Sequence, residues 1–129
     1  MKIPYVNLNT QWKNEKKQLL KIIDKTLLND SWVGGDQIDI FEHNIAKLCN
    51  TKYAIALNSG TDALTFALHT LGVKRGDEVI TAPNSFIASV AAIVHLGATP
   101  VFVDVLPDQN INPLLIENAI TKKTKAIMP

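Results

Sequence analysis

The feature of this sequence that most limits its fold is an alternation, after residue 52, of short apolar runs with helix-like segments. Apolar runs of four or five residues predict strands, and apolar residues at helical spacing predict helices. The predicted strands are 53–57, 78–81, 101–105 and one that begins at 125. The predicted helices are 61–71, 85–96 and 113–120, the last with Asn112 as its N-cap and Pro113 at its first helical position. This alternation predicts an α/β fold, a parallel sheet flanked by helices with right-handed connections.

The first fifty residues lack this alternation. Residues 1–10 are predicted to be irregular, and 11–28 to form a helix with an apolar stripe and lysines at the other positions. A loop at 29–35 precedes a second predicted helix at 36–48. The chain reaches Pro129 as its last predicted strand forms. We therefore expect it to be the N-terminal portion of a longer protein.

Composition excludes several classes of protein. The 129 residues are 47% hydrophobic, which suits one domain with a core. The net charge of +1 gives no field that would recruit nucleic acid or an anionic membrane. A single cysteine, Cys49, excludes an intramolecular disulfide and is expected to be buried as a small hydrophobe. The first residues lack the apolar core of a secretory signal, so a cytoplasmic location is expected.

The connection at 58–64 is the first candidate site. Ligands of an open parallel sheet bind beyond the carboxyl ends of its strands, where this connection is predicted to lie. Gly60 permits close approach of a ligand, and the helix amides and the hydroxyls of Ser59 and Thr61 are donors suited to a phosphate. The alternative is a plain helix cap, in which Ser59 or Thr61 accepts from the first turn and Asp62 complements the helix dipole.

A second connection, at 82–89, leaves the next predicted strand at the same edge. Phe86 lies at the start of the following helix, where its ring could stack on a flat heterocycle. The alternative is an ordinary core phenylalanine. Phosphate-binding donors and an aromatic ring at one edge of the sheet together suit a planar aromatic ligand that carries one phosphate. No metal site is predicted, because the three histidines lack metal-ligand spacing.

Five sequence blocks occur in order along the chain, at 58–64, 76–80, 85–89, 97–104 and 124–127. Together with 32–35 and 41–42 they closely resemble the DegT/StrS family of sugar aminotransferases, which have the aspartate-aminotransferase type of PLP fold. The resemblance implies that the cofactor is pyridoxal 5'-phosphate (PLP). The positions that match cofactor-binding residues are Ser59, Gly60, Thr61, Asp62 and Phe86. The positions that match regions near the sugar substrate are Tyr5, Trp32, Val33 and Gly34.

The resemblance further implies that 1–129 is the N-terminal part of the large domain of a fold-type I PLP enzyme. The family's aspartate at the pyridine nitrogen and its cofactor-bound lysine would then lie beyond Pro129. The implied reaction moves an amino group from a donor, glutamate by analogy, to a nucleotide-linked keto sugar, in a homodimer. The segment alone is expected to be inactive. The alternatives are the family's dehydratase branch, in which histidine replaces that lysine, and a non-catalytic phosphate- or nucleotide-binding α/β fragment.

Overall fold

The computed structural model describes residues 3–29 and 32–129, which form two compact units. The first unit ends at Ala56 and contains helices α1 (Leu8–Leu28) and α2 (Asp36–Leu48). The second unit, Leu57–Pro129, contains α3 (Gly60–Thr70), β1 (Glu78–Thr81), α4 (Ile87–His95), β2 (Thr99–Phe102), α5 (Pro113–Ala119) and β3 (Thr124–Met128). None of the helices in the described part of the chain combines the length and the apolar character that crossing a membrane requires.

The two helices of the first unit follow the sequence prediction with one correction at the start. Helix α1 begins three residues before the predicted position, because the Asn7 side chain accepts a hydrogen bond from the Thr10 backbone N–H and caps the helix there. Helix α2 has the predicted bounds. The expectation that Cys49 is buried is wrong, since this residue ends α2 and its side chain is exposed. Residues 1, 2, 30 and 31, which fall in the predicted irregular start and loop, lie outside the described residues.

A three-stranded parallel sheet organises the second unit, in the order β2-β1-β3. Strand β1 pairs with both neighbours, so that Ile80 lies opposite Val101 on one side and Ile127 on the other. Helix α4 connects β1 to β2, and α5 connects β2 to β3 in the reverse direction across the sheet. Since crossover connections are right-handed, α4 and α5 cover opposite faces. The predicted α/β fold, a parallel sheet flanked by helices, is confirmed.

The core of the second unit forms where α4 lies against the sheet. Val79 and Ile80 of β1 and Ile93 of α4 have 0% of their surface exposed. Helix α4 is almost wholly apolar and packs against α3, β1 and β2. Full burial of a side chain of this size stabilises a fold by roughly 1.5–3 kcal/mol. This packing sets the position of α3 and α4 relative to β1.

The predicted strand at 53–57 is absent. A strand needs a neighbour for its backbone groups, and here the Ala56 N–H donates instead to the Glu42 carboxylate of α2, at 2.7 Å. Side chains along the segment still alternate between exposed and half-buried, as in an extended chain. The segment is therefore extended, but the described residues provide no strand that pairs with it.

The strand predicted at 101–105 lies earlier in the structure, as Thr99–Phe102. Its end is determined by β1, whose last residue, Thr81, pairs with Phe102. Beyond it the Asp104 carboxylate accepts from the Val105 N–H, at 2.8 Å, and Val105 pairs with Ile111 in an antiparallel bridge. The chain has then turned out of the sheet.

The helix ends of the second unit differ from the predicted ones by one or two residues. Helix α3 begins at Gly60, and α4 begins at Ile87 with Phe86 as its N-cap. Helix α5 begins as predicted, with the Asn112 side chain accepting from the Leu114 N–H ahead of Pro113 at the first helical position.

We expect the isolated 129-residue chain to self-associate. Strands β2 and β3 are the outer strands of the described sheet, and on them Phe102 is 52% and Ile127 46% exposed. Open edges that carry apolar side chains pair readily with other chains. Light scattering after gel filtration should show oligomers, and thermal unfolding should be broad.

A charge on the open edge should reduce this association. We expect Ile127→Lys to do so more than Leu71→Lys, a control at a helix end that is 62% exposed. A clean monomer with a sharp two-state melt would contradict the expectation and show that the segment is a self-sufficient domain.

Candidate functional site

Helices α3 and α4 both begin at the carboxyl end of the sheet. Helix α4 follows β1 directly, so it starts beyond the carboxyl end of that strand. Helix α3 ends shortly before the amino end of β1 and therefore also starts at the carboxyl end. The two helices pack against each other. This edge is where open parallel sheets bind ligands.

The start of α3 leaves several hydrogen-bond donors for a ligand. The Ser59 hydroxyl oxygen accepts from the Asp62 N–H, at 3.1 Å, so the predicted helix cap is formed. The first-turn amides of Gly60 and Thr61 have no carbonyl within the helix to bind. The Ser59 hydroxyl hydrogen and the Thr61 hydroxyl add two further donors. This donor set, at the positive end of a helix dipole, suits a phosphate.

Open space surrounds Gly60. A Cβ added to this glycine would meet no atom within 4 Å. The backbone conformation does not require glycine, since its φ lies outside the left-handed region. The lack of a side chain therefore serves no local packing or conformational need in the described structure, and it leaves room for a group to approach the amide.

Asp62 offers a phosphate fewer contacts than the other residues of this turn. Its backbone N–H is engaged by Ser59, and its half-buried carboxylate carries the charge of the first turn. A carboxylate there is stabilised by the helix dipole but repels a phosphate. The expected contact between Asp62 and the cofactor stays a prediction.

Phe86 is presented at the same end of the sheet. As the N-cap of α4 it has an extended backbone, φ −62° and ψ 148°, and 77% of its surface is exposed. Within the described residues Phe86 is therefore not part of the core. An exposed aromatic ring at a ligand-binding edge can stack on a planar ligand.

The four residues that the resemblance places near a sugar belong to the first unit, whereas the residues matched to the cofactor belong to the second. Tyr5, Trp32 and Val33 are exposed, and Gly34 has a φ of +72°. Trp32 lines an open apolar groove of about 730 Å³ along α1, which Tyr5 does not line. This volume is within the ordinary range of small-molecule sites, but the groove brings few polar groups together, so its size alone assigns no function. The predicted contact of these four residues with substrate stays a prediction.

One link in the second unit has no local sequence signal. The Asn84 side chain, which follows β1, donates from Nδ2 to the backbone carbonyl of Gln109, at 3.0 Å. The two residues are 25 positions apart.

Residues 3–29 and 32–129 contain no group of three or more histidine, cysteine or acidic side chains arranged to hold a metal ion.

An α/β fold with phosphate donors and an exposed aromatic ring at one sheet edge defines a class of proteins that bind phosphorylated aromatic ligands. Comparison with known sequences narrows this class. The profile of the DegT/DnrJ/EryC1/StrS aminotransferase family matches residues 13–129. The chain belongs to this family.

Individual relatives agree with this assignment. The chain is 40% identical over 129 residues to the dTDP-3-amino-3,6-dideoxy-alpha-D-galactopyranose transaminase of Aneurinibacillus thermoaerophilus, covering 98% of this chain and 35% of that protein. It is 38% identical over 130 residues to a pleiotropic regulatory protein of Geobacillus stearothermophilus, covering 100% and 35%. The chain thus spans about a third of the length of these relatives.

The fold comparison identifies the cofactor of the family. The structure of NtdA from Bacillus subtilis with its cofactor PMP bound superposes with a TM-score of 0.92 at 34% identity, over 98% of this chain and 29% of that chain. PMP, pyridoxamine phosphate, is the amine form of PLP. The expectation of a fold-type I PLP architecture is thereby confirmed.

Proposed function

We propose that this chain is the cofactor-binding N-terminal segment of a PLP-dependent aminotransferase that acts on a nucleotide-linked keto sugar. The observation that carries the proposal is the placement of free helix donors and an exposed aromatic ring at one sheet edge, in a chain that belongs to a sugar aminotransferase family. The dTDP-sugar transaminase among its relatives supports the substrate class. When bound, PLP supplies the electron sink for amino transfer.

The residues present fit the cofactor. The amides of Gly60 and Thr61 and the hydroxyls of Ser59 and Thr61 would hold the phosphate, and Phe86 would cover one face of the pyridine ring. The phosphate is then held by neutral donors and a helix dipole. Binding at both ends of the cofactor restricts its orientation, which is the contribution of these residues to the reaction.

The lysines of the second unit lie away from this edge. Lys74 precedes β1, Lys122 and Lys123 precede β3, and Lys125 is the second residue of β3. All four therefore lie on the amino side of the sheet. A lysine that exchanges protons with a bound cofactor must be within hydrogen-bond reach of it. This placement supports the proposal that the segment binds and orients, while the family's lysine is supplied by further chain.

Three finer points belong to the same proposal. Glutamate as the amino donor and a homodimer as the working assembly are supported by the family resemblance. A cytoplasmic location is supported by the single, exposed thiol of Cys49, which suits a reducing compartment.

Amino transfer from glutamate to a dTDP- or UDP-linked keto sugar tests the proposal. We expect turnover by the whole protein that carries this segment, and none by the 129-residue chain, because no lysine of its second unit lies at the ligand edge. Borohydride reduction with PLP should label the isolated chain only at scattered surface lysines. Turnover by the isolated chain with one lysine labelled stoichiometrically would contradict the proposed division of labour, and a whole protein without PLP-dependent transfer would contradict the function.

Thr61→Ala should weaken PLP retention in the whole protein. The substitution removes a hydroxyl donor to a charged phosphate, an interaction worth roughly 1.5–3 kcal/mol, or about tenfold or more in affinity. Equilibrium dialysis of PLP measures the change. Thr70→Ala, at the exposed end of the same helix, is the control and should retain PLP normally. Equal retention by both variants would remove Thr61 from the site.

Gly60→Ala should separate folding from binding. The added methyl group meets open space, and alanine is the better helix former by roughly 0.5–1 kcal/mol, so folding should be unharmed or improved. The same methyl group would obstruct a phosphate at the Gly60 amide, and PLP affinity should fall. Unfolding and PLP titration on the same preparation measure the two effects. Unchanged affinity would show that no ligand approaches Gly60 closely.

Phe86→Ala should impair PLP binding while Phe86→Tyr is tolerated. The ring is exposed, so its loss costs little core packing, in contrast to the roughly 3–5 kcal/mol for a buried phenylalanine. Melting and cofactor absorbance recorded on the same samples distinguish the two cases. A large loss of stability with a normal cofactor spectrum would show that the ring is structural.

A further inference from the structure

The position of the Phe86 ring is determined by its backbone. With 77% of its surface exposed, the ring has little packing around it, and its residue forms no side-chain cap hydrogen bond at the start of α4. Where the ring points therefore depends on the path of residues 82–86. The first residue of that path, Ala82, is buried directly after β1. The residues between Ala82 and Phe86 are exposed and need another restraint.

Asn84 provides that restraint. Its Nδ2 donates to the Gln109 carbonyl oxygen, at 3.0 Å. Because a carbonyl can only accept, the nitrogen of the amide must face it. The bond joins the loop after β1 to the loop after β2 at the same edge of the sheet. On the other side of the loop, the hydroxyl oxygens of Ser85 and Ser89 lie 2.7 Å apart, which ties the loop to the first turn of α4.

The acceptor belongs to a tightly closed turn. The Gln109 N–H donates to the Leu106 carbonyl at 2.9 Å, and the Leu106 N–H donates to the Asn110 carbonyl at 2.8 Å. Gln109 has a φ of +71°, a conformation that side-chain-bearing residues adopt only where neighbours hold it. The Asn110 backbone N–H, and then its side-chain amide, hold the pKa of Asp108 below its ordinary value. A turn restrained by this many bonds offers a steady acceptor.

We propose that Asn84 is a positioning residue for the cofactor, which sets the place of the Phe86 ring through its hydrogen bond to the Gln109 carbonyl. The inference rests on the proposed function, because it assumes that Phe86 meets PLP. A single exposed, neutral hydrogen bond contributes little to global stability. Loss of the bond should therefore change the cofactor environment and leave the unfolding transition nearly unchanged.

Asn84→Asp in the whole protein loaded with PLP is the principal test. The substitution keeps size and shape but replaces the donating nitrogen with a carboxylate oxygen that the carbonyl repels. We expect PLP retention to weaken on the order of fivefold, as for one neutral hydrogen bond. The induced circular dichroism of the bound cofactor should change, with an unaltered melting midpoint. Asn118→Asp, the same substitution at an exposed position of α5, should change neither.

Two variants at the acceptor test the same bond from its other end. Gln109→Gly keeps the carbonyl and adopts positive φ without strain, so the cofactor signal should stay normal. Gln109→Val places a β-branched residue where φ is positive, so it should displace the carbonyl and reproduce the Asn84→Asp signature.

The outcomes separate this inference from the proposed function. A wild-type protein that fails to bind PLP would overturn both. Normal PLP binding with unchanged affinity and dichroism in Asn84→Asp would overturn the role of Asn84 alone. Loss of folding in Asn84→Asp, or an equal effect of Asn118→Asp, would also overturn it, because the residue would then act through stability or charge.

Discussion

The complete enclosure of β1 is the constraint on which the second unit depends. The strand is paired on both edges, and Val79, Ile80 and Thr81, whose side chains alternate between the two faces, are almost fully buried. A strand held on four sides has one position and one register. The loop that carries Phe86, and then α4, follow the carboxyl end of this strand, so they start from a position that pairing and packing determine.

This arrangement places the lysines of the unit at the opposite end of the sheet from the start of α3. The donors at the start of α3 are neutral groups aligned with a helix dipole, whereas the four lysines lie at the amino ends of strands. A phosphate at the carboxyl edge, as proposed, would therefore be recognised by directed hydrogen bonds rather than by a diffuse positive field. Directed bonds orient as well as attract, and a cofactor that must present one ring atom to a substrate benefits from orientation.

The sequence predicted the elements whose signals are local. Helix α2 and strand β1 have the expected bounds, and Asn112 with Pro113 marked the start of α5, because caps and apolar periodicity act within a few residues. The strand at 53–57 was wrong since a strand depends on a partner elsewhere in the chain. The end of β2 was misplaced for the same reason, because register against Thr81 determines it.

The candidate site shows the same division. The serine, glycine and threonine at the start of α3 form a contiguous motif, and their cap geometry is as local as the sequence suggested. The link between Asn84 and Gln109 joins residues that only the sheet brings together. No periodicity or motif in a sequence indicates a hydrogen bond between residues 25 positions apart. Side chains that hold a loop in place are therefore the part of a site that sequence reasoning most easily misses.

The strand order β2-β1-β3 also governs assembly during synthesis. The central strand is made first, and its second edge stays open until β3 emerges, 46 positions later when counted from Glu78 to Thr124. At about 5–20 residues per second, that interval lasts roughly 2 to 9 seconds. During that interval the strand that is most buried in the finished fold has one edge unpaired. We therefore expect the yield of correctly assembled sheet to depend on the speed of translation between β2 and β3 as well as on the stability of the finished fold.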